Sequence, residues 1–180
     1  MNRIIGLFCL FIMFIEVGCE AKNSPATSEG SMDMTIQISS SEFSEGGSIP
    51  RQFTCDDVDV SPPLSWMGVP THTLSLALIV DDPDAPVGTW VHWVLYNLPP
   101  ELSGLDQGMT GIGVEGMNDF RRLGYGGPCP PKGPAHRYYF KIYALDTILN
   151  LKPGATKAQV ELAMQGHILA QGRLMGKYGR

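Results

Sequence analysis

Most of the sequence alternates short apolar runs with stretches rich in glycine and proline. Ile36 and Ile38 stand between polar residues, a period of two that predicts a half-buried strand. The apolar run at residues 74–80 is typical of a strand covered on both faces. Residues 90–96 and 138–145 are strand-like as well, so the pattern predicts a protein built mainly from β-strands.

Alternation along residues 90–96 assigns their side chains to two faces of one strand. One face holds Trp90, His92, Val94 and Tyr96, and the other holds Val91, Trp93 and Leu95. The two tryptophans are therefore expected to point to opposite sides of the sheet.

A helix is predicted near the end of the sequence. Thr156 and Gln159 have the spacing of a capping box, in which each side chain accepts a hydrogen bond from the other residue's backbone N–H. The residues on one stripe of this helix are Val160, Ala163, Met164, His167 and Ile168. Gly166 and Gly172 weaken or end it. Residues 104–133, by contrast, predict a mostly irregular loop of a length that usually carries function or disorder.

Composition changes this picture little. The chain has 180 residues, 43% of them apolar and 17% charged, which suits a single globular domain, and its 21 glycines and 14 prolines imply many turns. A formal net charge of −5, without any cluster of lysines and arginines, argues against a nucleic-acid partner.

The N-terminal residues predict export. Arg3 precedes an apolar run at residues 4–15, which matches a signal-peptide core and is shorter than the roughly 20 residues a membrane-spanning helix needs. We therefore divide the chain into a signal peptide at residues 1–19, a flexible linker at 20–34 and a folded domain at 35–180. The linker contains almost no large apolar residues that would order it.

Cys19 is a candidate lipidation site. Val17, Gly18 and Cys19 resemble the end of a bacterial lipobox, which predicts an exported protein attached to a membrane only through an N-terminal lipid anchor. Glu16 departs from that motif, so plain secretion, with Cys19 as an ordinary thiol, remains an alternative. Cys55 and Cys129 are then the cysteines left in the domain, and in an oxidising compartment they either form a disulfide or stay free.

Three segments concentrate polar chemistry at predicted strand ends. Residues 81–86 read Asp-Asp-Pro-Asp-Ala-Pro, residues 90–93 read Trp-Val-His-Trp, and residues 127–138 hold a proline-rich loop followed by His136-Arg137-Tyr138. Because strand ends meet at the rim of a sheet, these segments are expected to share one cavity.

In this order the motifs resemble the phosphatidylethanolamine-binding protein family, also called Raf kinase inhibitor proteins. Ser61–Trp66 and Gly166–Ala170 are similar to its bacterial, YbhB/YbcL-type branch. The resemblance covers roughly residues 35–178 and rests on several ordered motifs. It implies a sandwich of a large antiparallel sheet and a smaller sheet, with a C-terminal helix and few peripheral ones.

The resemblance also implies a small pocket that binds phosphate-like anions and phosphoethanolamine head groups without catalysis or a cofactor. The residues carried over to this pocket are Asp82, Asp84, Trp90, His92, Pro130, His136 and Tyr138. The loop between Lys132 and His136 is shorter than in animal members, which affects the pocket mouth. We expect anion affinity to rise as the pH falls through the histidine range.

Parts of the sequence are compatible with three other functions. A hydrolase would use the carboxylates and histidines as acid and base, but a nucleophile motif is missing from the sequence. A metal site would use Asp82, His92 and His136, but metal-ligand spacing is missing too, so no metal is expected. Inhibition of a protease or another envelope protein through the pocket rim is the main alternative, and a homodimer remains open.

Overall fold

The computed structural model describes residues 34–180. Its strands are β1 (Met34–Thr35), β2 (Gln37–Ser39), β3 (Leu64–Met67), β4 (Ser75–Asp82), β5 (Trp90–Leu98), β6 (Gly104–Leu105), β7 (Val114–Glu115), β8 (His136–Leu145) and β9 (Ile168–Tyr178). This part of the chain also has a 3-10 helix at Arg51–Phe53 and one α-helix, α1, at Lys157–Met164. The predicted signal peptide and linker, with Cys19, lie outside the described residues, except that Met34 at the end of the predicted linker belongs to β1.

The strands form the two sheets that the resemblance implied. The large sheet has the order β1-β9-β8-β4-β5-β7 and is antiparallel apart from β1, which pairs in parallel with β9. The small sheet has the order β2-β3-β6 and is antiparallel. The prediction of a mainly β sandwich is therefore confirmed.

Strand β4 lies inside the large sheet, and all eight of its residues are buried. Its side chains alternate between two cores. Leu78 packs in the core shared with Trp66 of the small sheet, and Ile79 packs in a second core with Val160 of α1. This double cover explains why residues 76–80 are all apolar, and it confirms the prediction of a strand covered on both faces.

The capping box of α1 is confirmed, because Thr156 accepts from the backbone N–H of Gln159 and the Gln159 side chain accepts from that of Thr156. The helix ends at Met164, however, so the predicted stripe was too long, and His167 is an exposed residue bonded to Asp146. No helix described in residues 34–180 is long and apolar enough to span a bilayer.

Strand β9 was missed by the sequence analysis. Gly172 was interpreted as a helix terminator, but it lies inside the strand, where an added Cβ would collide with the carbonyl oxygen of Ile36. At Gly176 an added Cβ would meet the side chain of Ile49 at 2.5 Å. These glycines allow a neighbouring segment to approach β9 closely and do not interrupt it.

The pairing of β4 with β5 contains a bulge at His92. Val80 pairs with Trp93 and Asp81 pairs with Val91, so His92 is an extra residue between two register positions. The predicted alternation along residues 90–96 is therefore correct as far as His92 and wrong from Trp93 onward. The side toward the small sheet holds His92, Trp93 and Leu95, and the side toward α1 holds Val91, Val94 and Tyr96.

Candidate functional site

The three predicted segments converge on a cavity of about 250 Å³. Its lining residues are Asp82, Ala85, Pro86, Val87, Trp90, His92, Phe120, Cys129, Pro130, Pro131 and His136. The antiparallel pairing of β4 with β5 and β8 places the end of β4 beside the starts of both neighbours. This topology brings together five of the seven predicted residues: Asp82, Trp90, His92, Pro130 and His136.

Asp82 and His136 form the polar floor of the cavity. Asp82, the last residue of β4, is 3% exposed, and its Oδ2 accepts a hydrogen bond from Nδ1 of His136 at 2.8 Å. Its Oδ1 accepts from the backbone N–H of Asp84 at 2.8 Å. Both carboxylate oxygens therefore have a partner, and the imidazole of His136 is fixed with Nδ1 protonated.

Asp84 does not line the cavity. Its carboxylate pairs with the Arg137 guanidinium, with Oδ1 2.6 Å from Nη2 and Oδ2 2.9 Å from Nε, and it also accepts from the Arg137 backbone N–H. These bonds lower the pKa of Asp84 to about 2, against the smaller opposing effect of burial. Asp84 therefore fastens the Asp/Pro loop to the start of β8.

His92 is turned into the cavity by the bulge. Its ring is 2% exposed and stands edge-on to Phe120 and Tyr138, with centroids 5.4 and 5.2 Å away. Nδ1 lies 2.6 Å from the carbonyl oxygen of Gly126, which can only accept, so Nδ1 carries the proton. Burial lowers the pKa of His92 in spite of opposing contributions from Gly126 and Asp82.

This lowered pKa predicts that the unliganded protein loses stability on mild acidification. The unfolded state binds a proton at His92 below about pH 6.5, whereas the folded state resists it, so stability falls as the pH drops through that range. One proton limits this contribution to about 1.4 kcal/mol per pH unit. Urea unfolding from pH 7.5 to 5 should show a smaller pH slope in His92→Asn than in wild type.

The matched control for this measurement is His167→Asn, because His167 also donates through Nδ1 but is exposed at the surface. It should leave the slope of wild type largely intact. An equal slope in His92→Asn and wild type would contradict the assignment of a buried neutral imidazole.

Tyr138 lies beneath the cavity and does not line it. The residue is fully buried, and its hydroxyl has no hydrogen-bond partner among the described residues. Burial, together with the nearby Asp82 charge, raises the pKa of Tyr138, so the hydroxyl keeps its proton. The predicted direct role of Tyr138 is thus replaced by packing against His92.

The proline-rich loop forms one wall of the cavity and is tied down at two points. A disulfide joins Cys129 to Cys55, with the Cα atoms 5.4 Å apart. Asp59 accepts from the backbone N–H of Gly127 at 2.6 Å and pairs with Arg122 at 2.8 Å. The carbonyl of Gly126, which orients His92, therefore lies directly beside an anchored segment.

Phe120 is the main lining residue that the sequence analysis missed. Its ring is edge-on to Trp90 at 5.5 Å and to His92 at 5.4 Å, so it closes the wall between them. It lies in the irregular stretch at residues 104–133, where no periodic pattern marks a side chain as facing inward. The nearby Arg122, whose guanidinium carbon lies 5.4 Å from the centroid of this ring, is a local sequence signal for the aromatic side chain.

The cavity combines apolar walls with a few convergent polar groups, which is the usual form of a small-molecule site. Within residues 34–180, no group of three or more His, Cys, Asp or Glu residues is placed to hold a metal ion.

Comparisons with known proteins agree with this architecture. A family model described as phosphatidylethanolamine-binding protein matches residues 39–179. A UPF0098 protein from Methanothermobacter thermautotrophicus is 50% identical over 151 residues, which cover 81% of this chain and 99% of that protein. A second, from Pyrococcus horikoshii, is 41% identical over 189 residues, covering 100% of this chain and 91% of that one.

Two solved structures are similar throughout the domain. A phosphatidylethanolamine-binding protein homologue from Chlamydia trachomatis has a TM-score of 0.78 and 45% identity, covering 82% of this chain and 99% of its own. YbcL from E. coli, described as a member of the mammalian family, has a TM-score of 0.75 and 32% identity, covering 81% of this chain and 98% of its own. The resemblance inferred from the motifs is confirmed.

Proposed function

Because the chain belongs to the phosphatidylethanolamine-binding protein family, we propose that its cavity binds small phosphate-bearing anions, of the phosphoethanolamine type, without converting them. The observation that carries the proposal is the pairing of Asp82 with His136 on the floor of a mostly apolar cavity that His92 also enters. Family membership supports ligand binding in general. The choice of an anion rests on the residues of this chain.

The imidazole of His136 is the central ligand-binding group in this proposal. Since Nδ1 donates to Asp82, Nε2 is the ring nitrogen that remains for a ligand. In the doubly protonated ring Nε2 becomes a charge-assisted donor to a phosphate oxygen, and the Asp82 carboxylate supports that charge. Walls formed by Trp90, Phe120 and Pro130 limit competition from water and so strengthen the bond.

A cation also lies near the wall. The guanidinium of Arg180 has Nη1 3.5 Å from the carbonyl oxygen of Pro130, while Nη2 pairs with Asp56 at 3.1 Å. Because Asp56 already neutralises this guanidinium, its contribution to anion binding is small beside that of His136.

Binding without turnover is supported by the state of the reactive groups. Cys129, the cysteine in the lining, is committed to a disulfide, so it offers no thiolate nucleophile. Asp82 already accepts two hydrogen bonds, which leaves it suited to orient His136.

His136→Ala tests the proposal. We expect the dissociation constant for inorganic phosphate to rise about tenfold to a hundredfold, the usual effect of removing a hydrogen bond to a charged group. The measurement is a titration followed by amide chemical shifts in ¹H–¹⁵N NMR spectra. Phosphorus NMR of phosphoethanolamine incubated with the protein should show no released phosphate.

His167→Ala is the matched control. His167 also has Nδ1 2.8 Å from an aspartate, Asp146, but its side chain is 47% exposed and it does not line the cavity. It should bind phosphate as wild type does. The proposal fails if His136→Ala binds normally, and its non-enzymatic part fails if phosphate is released.

A further inference from the structure

The two histidines of the cavity are each committed to one tautomer by a partner that can only accept. His92 donates from Nδ1 to the carbonyl oxygen of Gly126 at 2.6 Å, and His136 donates from Nδ1 to Asp82 at 2.8 Å. In both rings Nε2 is therefore the nitrogen available to a ligand. In a neutral ring that nitrogen carries a lone pair and accepts a hydrogen bond.

His92 is the ring that stays neutral near neutral pH. The charged or titratable groups around it are Asp82 of β4, His136 and Tyr138 of β8, and Asp59 in the loop before β3. The two carboxylates favour protonation, but the ring is 2% exposed and burial outweighs them. Tyr138 keeps its own proton and adds no charge.

The cavity thus offers a bare Nε2 on His92 beside the Asp82 carboxylate, and both of these groups are acceptors. We propose that the cavity selects a phosphomonoester that carries one proton, which its P–OH group donates to Nε2 of His92, over a phosphodiester. This inference rests on the proposed anion-binding function. A phosphodiester has no P–OH group, so it would place an oxygen lone pair against the lone pair of Nε2.

Proton balance gives the preference a second signature. At His92 a singly protonated monoester binds without exchanging a proton, whereas its dianion must take one from solvent as it enters. Because the second ionisation of a phosphomonoester has a pKa near 6, the dianion dominates above that pH. Above pH 6, monoester affinity should then fall by up to about tenfold more per pH unit than diester affinity, because a proton gained by His136 is common to both esters.

The test compares phosphoethanolamine with glycerophosphoethanolamine, which carry the same ammonium group and differ in the glycerol ester of the second. Calorimetry of the purified protein at pH 6 should give at least about tenfold tighter binding of the monoester, the usual effect of an unmatched buried polar group. At pH 7.5, titrations in buffers of different ionisation enthalpy should report uptake of nearly one more proton for the monoester than for the diester.

Equal affinities, or tighter binding of the diester, would overturn the preference alone, and tighter binding of the diester would indicate a lipid head group as the ligand. Absence of binding by both esters and by inorganic phosphate would overturn the proposed function as well. The two failures are therefore distinguishable.

His92→Asn tests whether His92 is the residue that causes the preference. The asparagine amide can replace Nδ1 as the donor to Gly126, but it brings no ring nitrogen to the ligand. The ratio of monoester to diester affinity should shrink to within about threefold, well inside the usual effect of one lost hydrogen bond. An unchanged ratio would overturn the role of His92, and the wild-type proton uptake still tests the preference should the variant fold poorly.

Discussion

Replacing Asp81 with asparagine should lower the free energy of unfolding by about 3–5 kcal/mol, the usual cost of removing one member of a buried ion pair. Asp81 is 1% exposed, and its Oδ2 lies 2.8 Å from Nζ of Lys141 and 2.7 Å from Nζ of Lys157. The amide has almost the same shape as the carboxylate. The variant would therefore keep the packing but leave two ammonium groups facing each other, with the half-exposed Glu161 beside Lys157 as the remaining counter-charge.

The loss of this ion pair should also loosen helix α1, because Lys157 belongs to it. Lys157 is the first residue of α1, so its bond to Asp81 fastens the helix to the outer face of the large sheet. Chemical denaturation of both proteins measures the difference. Glu161→Gln is the control, because Glu161 is half exposed and lies 3.6 Å from Lys157, and it should cost less than about 0.5 kcal/mol. A loss below 1 kcal/mol for Asp81→Asn would contradict this account.

Removing the disulfide should have an effect of similar size. Cys55 and Cys129 are 74 residues apart in sequence, and the chain-entropy model assigns about 4 kcal/mol to closing a loop of that length. The double variant Cys55→Ser, Cys129→Ser should therefore unfold at a clearly lower denaturant concentration than the oxidised protein. Wild type treated with reductant should match the variant.

The same variant should also bind phosphate less well, because Cys129 and the neighbouring Pro130 belong to the cavity wall. If the oxidised protein and the variant unfold at the same denaturant concentration, the cross-link does not stabilise the fold. A large loss of stability with unchanged phosphate binding would show that Asp59 alone holds the wall in position.

The parts of the fold that the sequence predicted are those with a strong local signal. The run at residues 74–80 is apolar because β4 is covered on both sides, and the capping box at Thr156 is a self-contained hydrogen-bond motif. Strand β9 has no such signal. Its glycines are required by close contact with Ile36 and Ile49, which are distant in sequence. Because these contacts leave no local pattern, Gly172 resembled the end of a helix.

The sequence predicted the part of the candidate site that lies within recognisable motifs. Asp82, His92 and His136 follow from strand ends that pairing brings together. Asp84 was assigned to the pocket because it belongs to the same motif, but the adjacent Arg137 takes up its carboxylate. Phe120 comes from irregular backbone, whose course is set by tertiary contacts and not by local pattern.

The position of the His92 imidazole depends on the number of residues in the β5 bulge. His92 reaches its place because one more residue stands between Trp90 and Trp93 than regular pairing with β4 would allow. Removing one residue from that segment would restore regular pairing with β4. The side chain that then paired opposite Asp81 would point to the other face of the sheet, away from the cavity. Deletion of one residue there is therefore expected to remove the imidazole from the cavity while the strands stay paired.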